Sequence, residues 1–214
     1  MTTPDWYRCT EWTPEAAAAF EQRLSRARGQ RGEYLRVQAL ALADTHRPEY
    51  AAAAIDLAKR HLALEPKGIS AAQMHATIAR ASETLGDVSS VVEAYRSAVE
   101  LEFQRPNVRG YHYIDFAWFV AIHDLSACYE DALKAIEQNK RDQDLVFPSN
   151  QYRYFASLAL ISAGLGDNEN ARRMAKNALA AVTTEKGPFW RFPLLGLVKN
   201  EADAARARLQ RLAA

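Results

Sequence analysis

Cysteine is nearly missing from this chain. Cys9 and Cys128 are the only two in 214 residues, and no spacing suggests a disulfide framework or a metal knuckle. Glycine (9) and proline (8) are also few, and most stand between stretches with helical apolar spacing. No run of about 18 apolar residues exists to span a bilayer. Neither sign of charge dominates: 27 basic residues against 26 acidic ones leave a formal charge of +1. No global field therefore draws the chain to nucleic acid or to an anionic membrane. The first residues, Met1 to Trp6, hold no basic region followed by an apolar run. No signal peptide is expected, and a cytoplasmic location follows by default. The signatures of common enzyme sites are absent too: no HExxH, no phosphate-binding glycine loop and no GxSxG elbow. His46, His61, His75, His112 and His123 are dispersed without ligand spacing, so no metal, cofactor or catalytic set is expected.

What is present is a repeated corner. Leu85-Gly86-Asp87 and Leu165-Gly166-Asp167 each sit between two helix-length apolar patterns. Val91, Val92, Tyr95, Ala98 and Val99 follow the first; Ala171, Ala175, Ala178 and Leu179 follow the second. Glycine suits a left-handed helix end, and aspartate is a good N-cap for the next helix. A recurring corner with matching flanks implies an array of helical hairpins.

The punctuation extends this along the chain. Thr13-Pro14-Glu15 starts a capping helix over 13–28, with Ala19, Phe20, Leu24 and Ala27 on one face and Gly29 as its stop. A second helix is expected over 33–45, with Leu35, Ala39 and Leu42 on its buried side. Pro48 opens a third towards Leu64, which Pro66 and Gly68 close. Helices then follow over 70–85 and about 88–103. A strongly apolar one over 111–123 has a partner that begins near Tyr129. After a break at Phe147-Pro148-Ser149-Asn150 comes a hairpin over 151–164 and 168–182. The tail alternates aromatics with breakers and ends in a charged helix capped by Asn200, with Asp203 three residues on. The expected fold is all-α and forms one domain over 1–214. Its units are about 33–66, 70–103, 111–142 and 151–183, between the capping helix 13–28 and a C-terminal cap over 188–212.

In this register the chain resembles the tetratricopeptide repeat family. Gly86-Asp87, Val91, Tyr95, Ala98-Val99 and Leu101 fill the pattern in one unit. Gly166-Asp167, Ala171, Ala175 and Ala178-Leu179 fill it in another, with Phe155, Leu158 and Ala159 in the preceding helix. Looser matches run through Phe116, Phe119, Val120, Tyr129, Ala132, Leu133 and Ile136, and through Ala54, Ile55, Leu62, Leu64 and Pro66. The likeness covers about 33–184, and the units recur every 37–41 residues. The first unit lacks Gly-Asp, and the third has Ala127-Cys128 in its place. The resemblance implies a right-handed α-α superhelix of about four hairpins, in which small residues let helices approach and large ones fill the gaps.

The resemblance also implies a concave groove, lined by the first helix of each unit, that holds a protein or peptide without bond chemistry. By register its candidate residues are Gln38, Gln73, Arg80, Glu83, Trp118, Asp124 and Arg153. Arg80, Trp118 and Arg153 rank first, because Arg and Trp dominate binding hot spots. The plainer alternative is that these side chains are solvated or packed between units. One subfamily grips a peptide's terminal carboxylate with Lys and Asn; Ala76, Arg80 and Trp118 stand at such positions here, which argues against a chaperone-tail adaptor. The aromatics near both ends (Trp6, Tyr7 and Trp12; Phe189, Trp190 and Phe192) read as covers over the ends of the array, with a docking patch as the alternative. Two other functions are carried alongside: an immunity or antitoxin-like protein that occludes a toxin, and a nucleic-acid regulator. The second would act through Arg23, Arg26, Arg28, Arg31 and Arg36, although the near-neutral chain disfavours nucleic acid and no membrane partner is expected. The oligomeric state is left open.

Overall fold

In a computed structural model, which describes residues 5–108, 110–198 and 201–214, the chain forms ten α-helices, and no strand occurs among the described residues. They are α1 (Pro14–Arg26), α2 (Arg31–Ala43), α3 (Pro48–Leu64), α4 (Ala71–Thr84), α5 (Val88–Gln104), α6 (His112–Ile122), α7 (Tyr129–Asn139), α8 (Pro148–Gly164), α9 (Asn168–Val182) and α10 (Glu201–Ala213). Two compact units divide the chain, Met1–His112 and Tyr113–Ala214. No helix is long and apolar enough to cross a membrane among the described residues.

The two Leu-Gly-Asp corners have the same construction. Gly86 and Gly166 take φ of 73° and 83°, a left-handed conformation that a side chain strains. The twist lets the Asp87 N–H donate to the Ser82 carbonyl at 3.0 Å and the Asp167 N–H to that of Ser162 at 2.9 Å. Each bond reaches five residues back and closes a Schellman end. The same aspartates then cap the next helix, accepting from the N–H of Ser90 and of Asn170, both at 3.1 Å. Hydrogen bonds from Ser90, and then Ser89, hold the Asp87 carboxyl below its ordinary pKa.

In the first unit α2 packs on α3, α4 on α5, and α2 and α3 both lie against α4. Small side chains permit this: Ala39, Ala54, Ala58, Ala79, Ala81 and Ala98 are almost fully buried. The N-terminal segment is tied down by Gln38. Its buried amide donates to the Cys9 carbonyl at 2.7 Å and accepts from the Cys9 N–H at 3.0 Å. Trp6 then packs on Phe20 and Tyr34, and Trp12 on Phe20. At the far end of the unit, the buried Glu102 carboxylate accepts three successive backbone N–H groups, from Gly110 and Tyr111 at 2.8 Å and from His112 at 2.9 Å. Tyr111 has a φ of 59°, the turn that makes those N–H groups converge.

In the second unit α6 is buried along nearly its whole length, from Tyr113 to Ala121. Tyr113 donates its hydroxyl to the buried Asp144 carboxylate at 3.0 Å. α8 packs on α9, and α10 on both, through Ala205 and Leu209.

Several expectations need correction. α1 ends at Arg26, with Ala27 extended, before Gly29 is reached. Proline at Pro148 is the first residue of α8 and not part of the break, because a first-turn position needs no N–H donor. Of the dispersed histidines His75 is half-buried and His123 exposed, while His61 and His112 are buried. Trp190 and Phe192 face solvent, while the half-exposed Phe189 packs on Phe147 with ring centroids 5.7 Å apart. The cap assigned to Asn200 lies outside the described residues.

Candidate binding face

Polar ties join α2 to α4 and α6 to α8, between residues 36–38 apart in sequence. Arg36 of α2 and Asp44, the residue that caps its C-terminus, lie about two turns apart on one face; on α4, Gln73 and Arg80 do the same. Arg36 donates to the Gln73 side-chain oxygen at 2.9 Å, and Arg80 donates to Asp44 at 2.8 Å. The second unit repeats the device: Arg153 of α8 donates to Asp115 of α6 at 2.8 Å. The sequence separations are 37, 36 and 38 residues. Each ion pair is partly open to solvent, with side-chain exposures of 34% and 60% for Arg80 and Asp44 and of 35% and 31% for Arg153 and Asp115. Arg36 also grips Glu33 at 2.6 Å; that bond lowers the glutamate's pKa and raises the guanidinium's.

The seven candidate residues separate into distinct groups. Gln73, Arg80 and Glu83 share α4 and remain accessible. Gln73 also lines a cleft of about 310 Å³ with Ile69, Ser70, Val108, Gly110 and His112. Arg153 is accessible and held by Asp115. Asp124, in a left-handed turn with a φ of 51°, pairs with Arg208 of α10. Two candidates are not available to a ligand as they stand. Gln38 is fully buried with its amide committed to Cys9. Trp118 is 9% exposed and packs on Tyr152, with ring centroids 5.7 Å apart. A helix register places a residue on a face, but burial there depends on what the rest of the chain lays over it.

Sequence reasoning missed Asp44 and Asp115. Their signal is an acid paired with an arginine one repeat later, an interval available once the period is known. It also missed Glu102, for which no local pattern exists. Of the arginine-rich stretch, Arg36 is engaged as described and Arg23 lies over the Trp6 ring at 5.9 Å; Arg26, Arg28 and Arg31 are exposed. Among the described residues, no group of three or more His, Cys, Asp or Glu side chains is placed to hold a metal ion. The chain matches no family model, no curated protein and no solved structure.

Proposed function

We propose that this chain is a non-catalytic, cytoplasmic scaffold, a superhelix like that of the tetratricopeptide repeat, that binds a protein or peptide along the first helices of its hairpins. The observation that carries the reading is the set of half-exposed ties between those helices, Arg36–Gln73, Arg80–Asp44 and Arg153–Asp115. They set arginine side chains on the helical surface against weakly held acceptors that a partner's carboxylate can replace. Arginine held in this way offers a planar fork to carboxylates and peptide carbonyls.

The test is photo-crosslinking in the native host. A photoreactive residue replaces Gln73 or Glu83 on α4, or the exposed Asp56 of α3 or Glu100 of α5. A discrete protein adduct is expected from the α4 positions and not from the other two, and Arg80→Glu should remove it while the circular dichroism spectrum is unchanged. Adducts of equal yield from all four positions, or from none, would sink the assignment.

A further inference from the structure

The segment between α9 and α10 holds its largest apolar side chains in water. Trp190 is 91% exposed, Leu194 71% and Phe192 61%, with Leu195 and Phe189 about half exposed. This is not a loose tail. The Phe192 N–H donates to the Phe189 carbonyl and the Leu195 N–H to the Phe192 carbonyl, both at 3.0 Å. Two successive turns therefore share Phe192. Their corners are Trp190-Arg191 and Pro193-Leu194, positions where Gly, Pro, Asn, Asp and Ser are the usual occupants, and of the four only Pro193 is such a residue. The loop is anchored at its base: the Gly187 N–H donates to the Pro193 carbonyl at 2.6 Å, and the Ser149 N–H of α8 to the Gly196 carbonyl at 2.8 Å. Gly196 has a φ of 74°, and a side chain there would run into the Phe147 ring. The turns do not require tryptophan or leucine at their corners. The exposed apolar surface is on the order of 600 Å², at the upper end of the range for the largest patch on a monomer, which is often functional.

The charge around this loop indicates what covers it. From Lys186 to Val198 the only charged residues are Lys186 and Arg191, with Glu185 just before them. Both bases are exposed. A second copy would bring two such basic loops together and is disfavoured by repulsion. An anionic bilayer offers both complements: phosphates for the bases, and an interfacial zone that takes tryptophan, phenylalanine and leucine.

We infer that the Lys186–Gly196 loop docks this protein on an anionic lipid surface, with Trp190, Phe192 and Leu194 entering the interface and Lys186 and Arg191 at the headgroups. This goes beyond the scaffold reading and does not depend on it.

Cosedimentation of the full chain with vesicles tests it, using pure phosphatidylcholine and phosphatidylcholine mixed with phosphatidylglycerol. Binding is expected only with the anionic mixture and should weaken as salt rises. Lys186→Glu/Arg191→Glu should reduce it at least about tenfold, from a loss of roughly fivefold per base removed. Trp190→Ala/Leu194→Ala should reduce it comparably at unchanged charge. No sedimentation with the anionic vesicles, or equal sedimentation of either double variant, overturns the proposal. So does a dimer in light scattering that Trp190→Ala dissolves while vesicle binding is absent. None of these outcomes bears on adducts from α4.

Discussion

Replacing Glu102 with alanine should destabilise the protein more than any surface substitution, and the geometry gives the size. Its carboxylate accepts from three adjacent backbone N–H groups at 2.8, 2.8 and 2.9 Å, and the residue is 1% exposed. Hydrogen bonds to a charged group contribute about 1.5–3 kcal/mol each. The three do not simply add, because Gly110 and Tyr111 are half-buried and water can reach their N–H groups once the side chain is gone. His112 is buried, and its N–H would be left without the carboxylate. The expected loss for Glu102→Ala is therefore about 3–5 kcal/mol, a drop in midpoint temperature on the order of 10 °C for a chain of this size. Glu102→Gln should lose about 2 kcal/mol, since one oxygen remains as an acceptor while the new NH2 faces a donor. Urea unfolding followed by circular dichroism measures both, and hydrogen exchange should show the amides of residues 110–112 losing protection ahead of the rest. Glu100→Ala, on the exposed face of the same helix, is the control. If Glu102→Ala costs less than about 1 kcal/mol and those amides stay protected, the three-bond account is wrong.

Other outcomes follow from the same structure. Gly166→Ala should cost about 1–2 kcal/mol for forcing a side chain into left-handed backbone, since nothing stands within 4 Å of the added carbon; equal stability in thermal unfolding would contradict the corner geometry. Gln38→Leu should cost about 2 kcal/mol and free the N-terminal segment to limited proteolysis, because the Cys9 N–H and C=O lose their buried partner; a resistant variant of unchanged stability would refute the tie. Burial pushes the His75 pKa below its ordinary value of 6.5. The unfolded chain then takes up the proton first as pH falls. Stability is unaffected above about 6.5, declines down to the lowered value and is level below it. His75→Gln should flatten that limb of a stability–pH curve; an unchanged limb would assign it elsewhere.

The parts legible in the sequence are those whose causes lie within a few residues. Pro48 and Pro66 bracket α3 because proline fits a first turn and ends a helix, and Pro48–Leu64 is the observed span. Leu-Gly-Asp specifies its own corner: glycine supplies the twist and aspartate the next cap. The same locality misleads at Pro148, which reads equally well as a break or a first residue; nothing nearby decides between them. The face of a helix is legible and its cover is not. Gln38 and Trp118 occupy the register of accessible first-helix residues, yet one is buried by a segment 29 residues earlier and the other packs on Tyr152 of α8. At the other end, Trp190 and Phe192 have the composition of a core and no element over them, because composition cannot say whether a covering partner belongs to the same chain.

The ties between first helices bear on how a partner could bind there. A half-exposed pair such as Arg80–Asp44 contributes on the order of 0.2–1 kcal/mol, so breaking it is a small obstacle to association. What the pair does is restrict Arg80 to conformations that reach across to α2, and ordering a free arginine at an interface costs about as much as the pair is worth. Asp44 thus acts as a placeholder that an incoming carboxylate can replace. If so, Asp44→Asn should leave the unfolding midpoint within the range of a surface substitution and, by removing the competitor, raise the yield of the adduct formed from position 83. Were Asp44 instead essential for orienting Arg80, the same variant would lower that yield towards the level of Arg80→Glu. The two roles give opposite signs in one measurement, and the 60% exposure of the Asp44 side chain favours the placeholder, because a carboxylate that open to water is only weakly held.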